Sequence, residues 1–188
     1  MKTMREPVED VLVVGGGPAG SAAALFLARA GLRVAVVDAE DSPLFSVRRV
    51  ANFPARLDTP SGAELLADLR RQAEAAGAVW TIGYAEDVAD QGGVFALFLR
   101  GGGRKFAERL LLATGDDLRL VGILGLEREG TFVATDRAGR TSYPGVYAAG
   151  KLRGLVPEHA ATSAGDGAWV AVHLISDLRG EPYRDHET

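Results

Sequence analysis

The chain contains no cysteine and only three histidines among its 188 residues. Without a thiol it has no redox-active disulfide, thiol nucleophile or cysteine metal site, and this composition favours a reducing compartment, the cytoplasm. The histidines do not cluster with carboxylates at metal-ligand spacing, so no metal site is expected. No apolar run approaches the ~20 residues that a membrane span needs, and no apolar signal-peptide core follows the charged stretch 1–10.

The chain also has fewer basic residues, 21, than acidic residues, 25. The formal net charge is −4, and the arginines are scattered along the chain. Nucleic-acid binding requires a basic face, so we expect no nucleic-acid partner and no membrane partner. The length fits a single domain over residues 1–188, with tails at 1–9 and 179–188.

A glycine-rich turn stands between an apolar strand and a helix of small residues. Residues 11–14 are Val-Leu-Val-Val, and the next six are Gly15-Gly16-Gly17-Pro18-Ala19-Gly20. This G-x-G-x-x-G spacing, in a strand-turn-helix context, predicts a dinucleotide site. Gly15 is expected to allow the tight turn, Gly17 the close approach of a diphosphate, and Gly20 close packing of the helix. Pro18 suits the first helical position, and the first amides would face the diphosphate.

An acidic residue completes this βαβ unit. Residues 32–37 are predicted to form the second strand, and Asp38 follows it eighteen positions after Gly20. A carboxylate there would bind ribose hydroxyls and repel a 2′-phosphate, which favours FAD or NAD over NADP. A glycine-rich turn that binds nothing is the alternative interpretation.

The remaining chain alternates loops, strands and helices. The long connection 41–54 is expected to lie against the ligand, because loops of this length in a compact domain often form part of a functional site. Ser61 and Glu64 have capping-box spacing and predict a helix start. Strands are predicted at 79–88, 94–99 and 106–112, the last two joined as a hairpin through three glycines.

A second glycine-ended strand and a final helix follow. The stretch 145–150 is predicted to be a strand that ends at Gly150, and 159–178 a helix in which Gly165 and Gly167 mark close packing on a strand or ligand. The pair at 116–117 is interpreted as a solvated turn.

In combination and in this order, several motifs resemble the FAD domain of thioredoxin reductase and related pyridine nucleotide-disulfide oxidoreductases. They are the glycine turn, Asp38, Asn52-Phe53-Pro54, Ser61-Gly62, Ala113-Thr114-Gly115, residues 141–150 and Ala164-Gly165-Asp166-Gly167-Ala168. The resemblance implies an α/β fold: a three-layer FAD-binding Rossmann-type domain with a parallel sheet and a small β-meander.

The resemblance also implies which residues hold FAD. The ADP half is assigned to Gly15, Gly17, Pro18, Ala19, Gly20, Asp38 and Ala39, with Ala85 and Val88 near the adenine and Thr114 and Gly115 near the nucleotide. The flavin half is assigned to Asn52, to Gly150 and Lys151 at the ribityl chain, and to His159 and Ala160 at the pyrimidine edge. His159 is either a proton donor or a polar first-turn residue, and no catalytic residue is assigned.

The sequence departs from the family in three ways. The inserted NADPH-binding domain is missing, with only residues 116–126 or so in its place, and the Cys-x-x-Cys pair is absent. Lys151 stands where the family has aspartate. Its ammonium is expected either to reach a phosphate, to place charge near the flavin, or to point to solvent.

We therefore expect a small FAD-dependent oxidoreductase whose flavin is reduced by an external donor, either a nicotinamide nucleotide or a carrier protein. Its acceptor is unknown. A non-catalytic flavin-binding module acting with a partner or as a sensor is the alternative, and an NAD-binding enzyme is a third. The resemblance also implies a homodimer, because family members commonly pair.

Overall fold

The computed structural model describes residues 7–155 and 159–184. The strands in this part of the chain are β1 (Val8–Val14), β2 (Val34–Asp38), β3 (Val79–Ile82), β4 (Ala85–Asp90), β5 (Phe95–Leu99), β6 (Arg104–Leu112), β7 (Arg128–Glu129), β8 (Phe132–Val133) and β9 (Val146–Ala148). The α-helices are α1 (Pro18–Arg29), α2 (Gly62–Ala75), α3 (Arg119–Ile123) and α4 (Ala160–Arg179). Two short 3-10 helices lie at Pro43–Ser46 and Gly150–Arg153.

Seven of these strands form one sheet in the order β3-β2-β1-β6-β5-β4, and β9 pairs with the last residues of β6. The pairs β1-β2, β2-β3, β1-β6 and β6-β9 are parallel, whereas β4, β5 and β6 form an antiparallel meander. The carboxyl ends of the parallel strands therefore meet at one edge of the sheet, where α/β proteins bind their ligands.

Side chains of the central strand alternate between two hydrophobic layers. Val11 and Val13 pack with α1 and α4, including Leu27 of α1, on one face. Leu12 and Val14 pack with the meander on the other face. This period of two follows from the strand pleat, and it confirms the predicted three-layer fold with a Rossmann-type parallel sheet.

The predicted helix boundaries are close to those observed. The capping box at α2 is present: Ser61 Oγ accepts from the Glu64 N–H at 3.2 Å, and Glu64 Oε2 accepts from the Ser61 N–H at 2.8 Å. The last helix begins one residue after His159 and ends at Arg179, beyond which Gly180 adopts φ +72°. A left-handed glycine at this point is a common helix stop.

The prediction of a single strand over 79–88 was wrong. The chain forms β3 and then β4, which lie in different parts of the sheet, and the Gly83 N–H between them donates to the Asp38 carbonyl at 2.8 Å. β3 pairs parallel to β2, but β4 pairs antiparallel to β5. The break arises from these two pairings, which no local period encodes.

The described parts of the two predicted tails are bound to the domain. Val8 pairs with Phe106, so β1 begins inside the stretch 1–9. Beyond α4, the Tyr183 N–H donates to Ser176 Oγ at 3.0 Å, and the Tyr183 side chain packs against the helix-side core. Residues 1–6 and 185–188 lie outside the described part of the chain.

Candidate dinucleotide-binding cleft

A cleft of about 370 Å³ lies at the carboxyl ends of β1, β2, β6 and β9. A smaller cavity of about 30 Å³ adjoins it and shares Gly15, Asp41, Thr114 and Asp117 with it. The two cavities together extend from Ala85, at the start of the meander, to the first residue of α4. The lining residues that they share make the two cavities one candidate site, which reaches from the meander to α4.

Two glycines make the turn between β1 and α1 possible. Gly15 adopts φ +101°, and a Cβ on it would lie 2.4 Å from the Ala113 carbonyl oxygen. A Cβ on Gly20 would lie 1.8 Å from the Gly15 carbonyl oxygen. The turn, the helix and the end of β6 thus approach more closely than a side chain would allow.

Gly17 differs from these two glycines because the space around it is open. It is the N-cap of α1, and the nearest atom to a Cβ there would be Ser42 Oγ at 3.7 Å. Pro18 is the first helical residue, as predicted. The first amides of a helix lack intrahelical partners and carry partial positive charge, so this end of the cleft suits an anion.

Asp38 supports the glycine turn from the end of β2. Its carboxylate is buried and lines the cleft, and Oδ1 accepts from the N–H groups of Gly16 at 3.1 Å and Glu40 at 3.2 Å. These bonds occupy one carboxylate oxygen and leave Oδ2 for a ligand hydroxyl. A Cβ on Gly16 would lie 2.3 Å from Oδ2 and 2.5 Å from Trp80 Cζ2.

Sequence reasoning did not assign a role to Gly16. The spacing motif leaves its position open to any residue, whereas the structure requires glycine there. The signal in the sequence is the run of three consecutive glycines, which exceeds what the motif demands.

The smaller cavity forms the end of the site near the meander. Ala39, Ala85 and Thr114 line it together with Tyr84. The Tyr84 hydroxyl donates to Asp117 Oδ2 at 2.6 Å and accepts from Arg119 Nε at 3.1 Å. The interpretation of 116–117 as a solvated turn was therefore wrong for the second residue, which is half-buried and lines both cavities.

The other end of the cleft is formed by the turn after β9 and by the start of α4. The Gly150 N–H donates to Asp166 Oδ2 at 2.7 Å, and Lys151 Nζ contacts Asp116 Oδ2 at 2.7 Å. The Lys151 ammonium thus joins the segments that follow β9 and β6. None of the three environments considered from the sequence included this ion pair.

His159 is the N-cap of α4 and lines the cleft with Ala160. The Asn52 side-chain amide contacts His159 Nδ1 at 3.4 Å. Asn52 is therefore held at the edge of the site through His159.

Most of the predicted site residues lie together in the structure. The larger cleft is lined by Gly15, Gly17, Pro18, Ala19, Asp38, Thr114, Gly115, Lys151, His159 and Ala160, and the smaller cavity by Ala39 and Ala85. Four others line neither cavity: Gly20, Asn52, Val88 and Gly150. Of these, Val88 is buried in the core under the meander.

Further lining residues come from the connection after β2. Asp41, Ser42, Pro43, Leu44 and Val47 line the larger cleft, as expected for the segment 41–54. Over residues 7–155 and 159–184, no group of three histidine or acidic side chains is placed to hold a metal ion. In the same part of the chain, the helices are too short or too polar to cross a membrane.

The fold and the cleft define a dinucleotide-binding α/β domain of the Rossmann type. Comparison with known proteins extends this assignment: residues 10–46 match the family model described as FAD dependent oxidoreductase. The sequence is 31% identical to a dihydrolipoyl dehydrogenase from Chlorobaculum tepidum in an alignment 189 residues long, which covers 95% of this chain and 37% of that protein. It is 33% identical over 122 residues to a bifunctional thioredoxin reductase/thioredoxin from Mycobacterium leprae, covering 64% of this chain and 27% of the relative.

The fold is also that of a solved thioredoxin reductase. The structure from Gloeobacter violaceus superposes with a TM-score of 0.90 at 18% identity, over 97% of this chain and 100% of that one. These findings confirm the resemblance to thioredoxin reductases, and the description of the matched family confirms FAD as the expected cofactor. The chain spans only about a third of the two relatives compared by sequence, 27% and 37% of their lengths.

Proposed function

We propose that this chain binds FAD in the cleft and acts as the flavin domain of a small oxidoreductase of the thioredoxin reductase type. The observation that carries the proposal is the path of the two adjoining cavities, from Ala85 past the glycine turn to Ala160. The part of the path near α4 would hold the ribityl chain and the three-ring isoalloxazine of FAD, which together are larger than the ribose and nicotinamide of NAD.

The ADP half is proposed to bind at the glycine turn. Asp38 Oδ2 would accept from ribose hydroxyls while Oδ1 stays bonded to Gly16. The diphosphate would lie against Gly17 and the first amides of α1, where a glycine leaves room and the helix dipole favours negative charge. Adenine would lie at the opening of the smaller cavity, near Ala39 and Ala85, because the cavity itself is too small to enclose a purine.

The flavin half is proposed to lie toward α4. Ala160 is the first residue of this 20-residue helix and lines the cleft, so the positive end of its dipole faces the ligand space. Such a helix end stabilises negative charge on a bound group. FAD supplies the redox chemistry when it is bound, and the protein's contribution is orientation and electrostatics.

The electron donor is proposed to be external. The candidates are a nicotinamide nucleotide and a carrier protein, and the acceptor is unassigned. The homodimer and the cytoplasmic location expected from the sequence are proposals of the same kind. Light scattering of the purified protein at several concentrations would measure its molar mass, and a monomer throughout would contradict the dimer.

The visible spectrum of the purified protein, recorded anaerobically before and after addition of NADPH and then NADH, tests the function. The expected result is a yellow protein that bleaches faster than the same concentration of free FAD. A yellow protein that is not bleached by either nucleotide would favour a protein donor or the non-catalytic module. A protein that remained colourless after incubation with FAD, but gained thermal stability with NAD, would overturn FAD binding.

A further inference from the structure

The charges that line the site are almost all negative. Four aspartates line the larger cleft, and Lys151 is the only lysine or arginine among the described residues that line either cavity; the aspartates are Asp38, Asp41, Asp116 and Asp117. A diphosphate brings further negative charge into this space. Coulomb repulsion would therefore oppose its binding unless the Lys151 ammonium offsets it.

The start of α1 packs against the backbone next to Lys151. The residue before it, Gly150, touches the first turn of α1, since a Cβ on Gly150 would lie 2.8 Å from the Cβ of Ala19. At its other end, the Lys151 side chain reaches Asp116, three residues after Ala113, whose carbonyl oxygen abuts Gly15. The Lys151–Asp116 ion pair thus joins two segments whose backbones pack against the first turn of α1 and against the glycine turn.

The ion pair between Lys151 and Asp116 is a weak one. The side chain of Asp116 is 71% exposed and that of Lys151 is 30% exposed. Water and salt screen such a pair, so that it contributes little to stability. Breaking the contact with Asp116 therefore costs little.

We propose that Lys151 is a ligand-binding residue that exchanges the Asp116 carboxylate for the FAD diphosphate when the cofactor binds. The inference rests on the proposed function, because it requires FAD in this cleft. The resemblance implies an aspartate at this position, so the role of Lys151 is not inherited from that pattern. Asp116 is then a competitor for the ammonium, and it lowers the affinity of the site for the cofactor.

The test compares the affinities of the flavin-free full chain for FAD, ADP and riboflavin by titration calorimetry. In the Lys151→Met variant, which retains the aliphatic stem, the affinity for FAD and for ADP is expected to fall by about tenfold to a hundredfold, the effect of losing a hydrogen bond to a charged group. Riboflavin has no phosphate, so its affinity is expected to stay unchanged. Lys105→Met is the matched control, because it removes the same charge from β6 and Lys105 lines neither cavity.

The Asp116→Asn variant tests the competition directly. It is expected to tighten FAD binding severalfold in the wild-type background and by less in the Lys151→Met background, since the ammonium for which Asp116 competes is then missing. Urea unfolding of each variant checks that the fold is retained.

Three outcomes would overturn the inference. Equal affinity of wild type and Lys151→Met for FAD would show that the ammonium stays with Asp116, while the proposed FAD binding would still stand. A loss of affinity for riboflavin but not for ADP would place the ammonium at the flavin ring. A wild-type chain that bound neither FAD nor ADP would overturn the proposed function and this inference with it.

Discussion

The Asp38 carboxylate accepts a hydrogen bond from the Gly16 N–H at 3.1 Å, and thereby joins the end of β2 to the glycine turn. This contact brings a buried acid to the place where the ligand is expected. It also explains why the middle glycine of the three is needed: the carboxylate and the Trp80 ring fill the space that a Cβ would occupy.

Gly16→Ala is expected to destabilise the fold. The new Cβ would lie 2.3 Å from Asp38 Oδ2 and 2.5 Å from Trp80 Cζ2, so neighbours on two strands would have to move. Overpacking of this kind costs about 1–3 kcal/mol of unfolding free energy. Urea denaturation followed by circular dichroism measures the change, and an unaltered midpoint would contradict the close contact.

Gly17→Ala is the matched variant one residue further on. Its Cβ would have no neighbour closer than 3.7 Å, so only the weaker N-capping of alanine lowers the unfolding free energy, by about 0.5 kcal/mol. The methyl group would nevertheless project into the space proposed for the diphosphate. FAD affinity, measured by quenching of flavin fluorescence, is therefore expected to fall while most of the stability is retained; unchanged affinity would argue against this placement of the ligand.

Alanine substitutions at two glycines of α4 are expected to change the stability of the protein in opposite directions. Gly167 packs on α1, where a Cβ would lie 2.0 Å from the Ala19 carbonyl oxygen, whereas Gly165 has open space within 4 Å. Gly167→Ala should therefore destabilise the protein, and Gly165→Ala should stabilise it by about 0.5–1 kcal/mol through helix propensity. Thermal unfolding of both variants checks the prediction, which fails if the two midpoints shift in the same direction.

The Asp166→Ala substitution is expected to destabilise the turn after β9. Its carboxylate accepts from the Gly150 N–H at 2.7 Å and from Arg153 Nη1 at 3.1 Å, with both charged side chains mostly buried. Asp166→Ala leaves the guanidinium without this partner and is expected to cost about 3 kcal/mol.

Glu74→Ala is the control for this measurement. It breaks a more exposed pair with Arg70 on the surface of α2, where the N···O distance is 3.0 Å. Surface pairs of this kind contribute about 0.5 kcal/mol or less. Urea denaturation of both variants is expected to show a clearly larger loss of unfolding free energy for Asp166→Ala. Equal losses would contradict a contribution from the burial of the Asp166 pair.

Acid sensitivity is expected to depend on Asp177. The Arg140 guanidinium donates to both of its carboxylate oxygens and the Tyr147 hydroxyl donates to Oδ2 at 2.7 Å, which together hold the pKa of Asp177 below its usual range. Because the folded pKa lies below the unfolded one, the ionised carboxylate stabilises the fold fully above about pH 5. This stabilisation is lost as the pH falls through the folded pKa.

The Asp177→Asn variant is therefore expected to be less stable than wild type at pH 7 and to lose less stability on acidification. Tyr147→Phe removes one hydrogen-bond donor to Asp177. The fall of its unfolding midpoint with decreasing pH should be intermediate between those of wild type and Asp177→Asn. Unfolding midpoints measured between pH 7 and pH 3 test both expectations, and parallel curves for all three proteins would rule out a contribution from Asp177.

Local signals were sufficient for the opening unit and for the helix ends. The strand over residues 11–14, the glycine turn and the start of α1 at Pro18 follow from apolar β-formers, from residues that allow a tight turn, and from a proline at the first helical position. The start of α2 follows from a capping box, whose two hydrogen bonds join residues three apart. Such features are readable because the interacting groups are neighbours in the chain.

Contacts between residues far apart in the sequence could not be predicted from such local features. The break between β3 and β4 depends on which strand each joins, and the roles of Gly16 and Lys151 depend on Asp38 and Asp116, 22 and 35 residues away. Resemblance to a family did not supply the Lys151 contact, since the residue departs from the family pattern.

By itself, the sequence determined the glycine turn after the first strand and the acidic residue after the second, because turn chemistry and strand patterning are local. The resemblance of its motif order to a known family supplied the class of fold and the expectation of FAD. Only the tertiary structure decided which residues meet across the cleft: Asp38 with Gly16, Lys151 with Asp116, and Asp166 with Gly150 and Arg153. These contacts exist because parallel strands bring their carboxyl ends to one edge of the sheet, and so bring together side chains that are far apart in sequence.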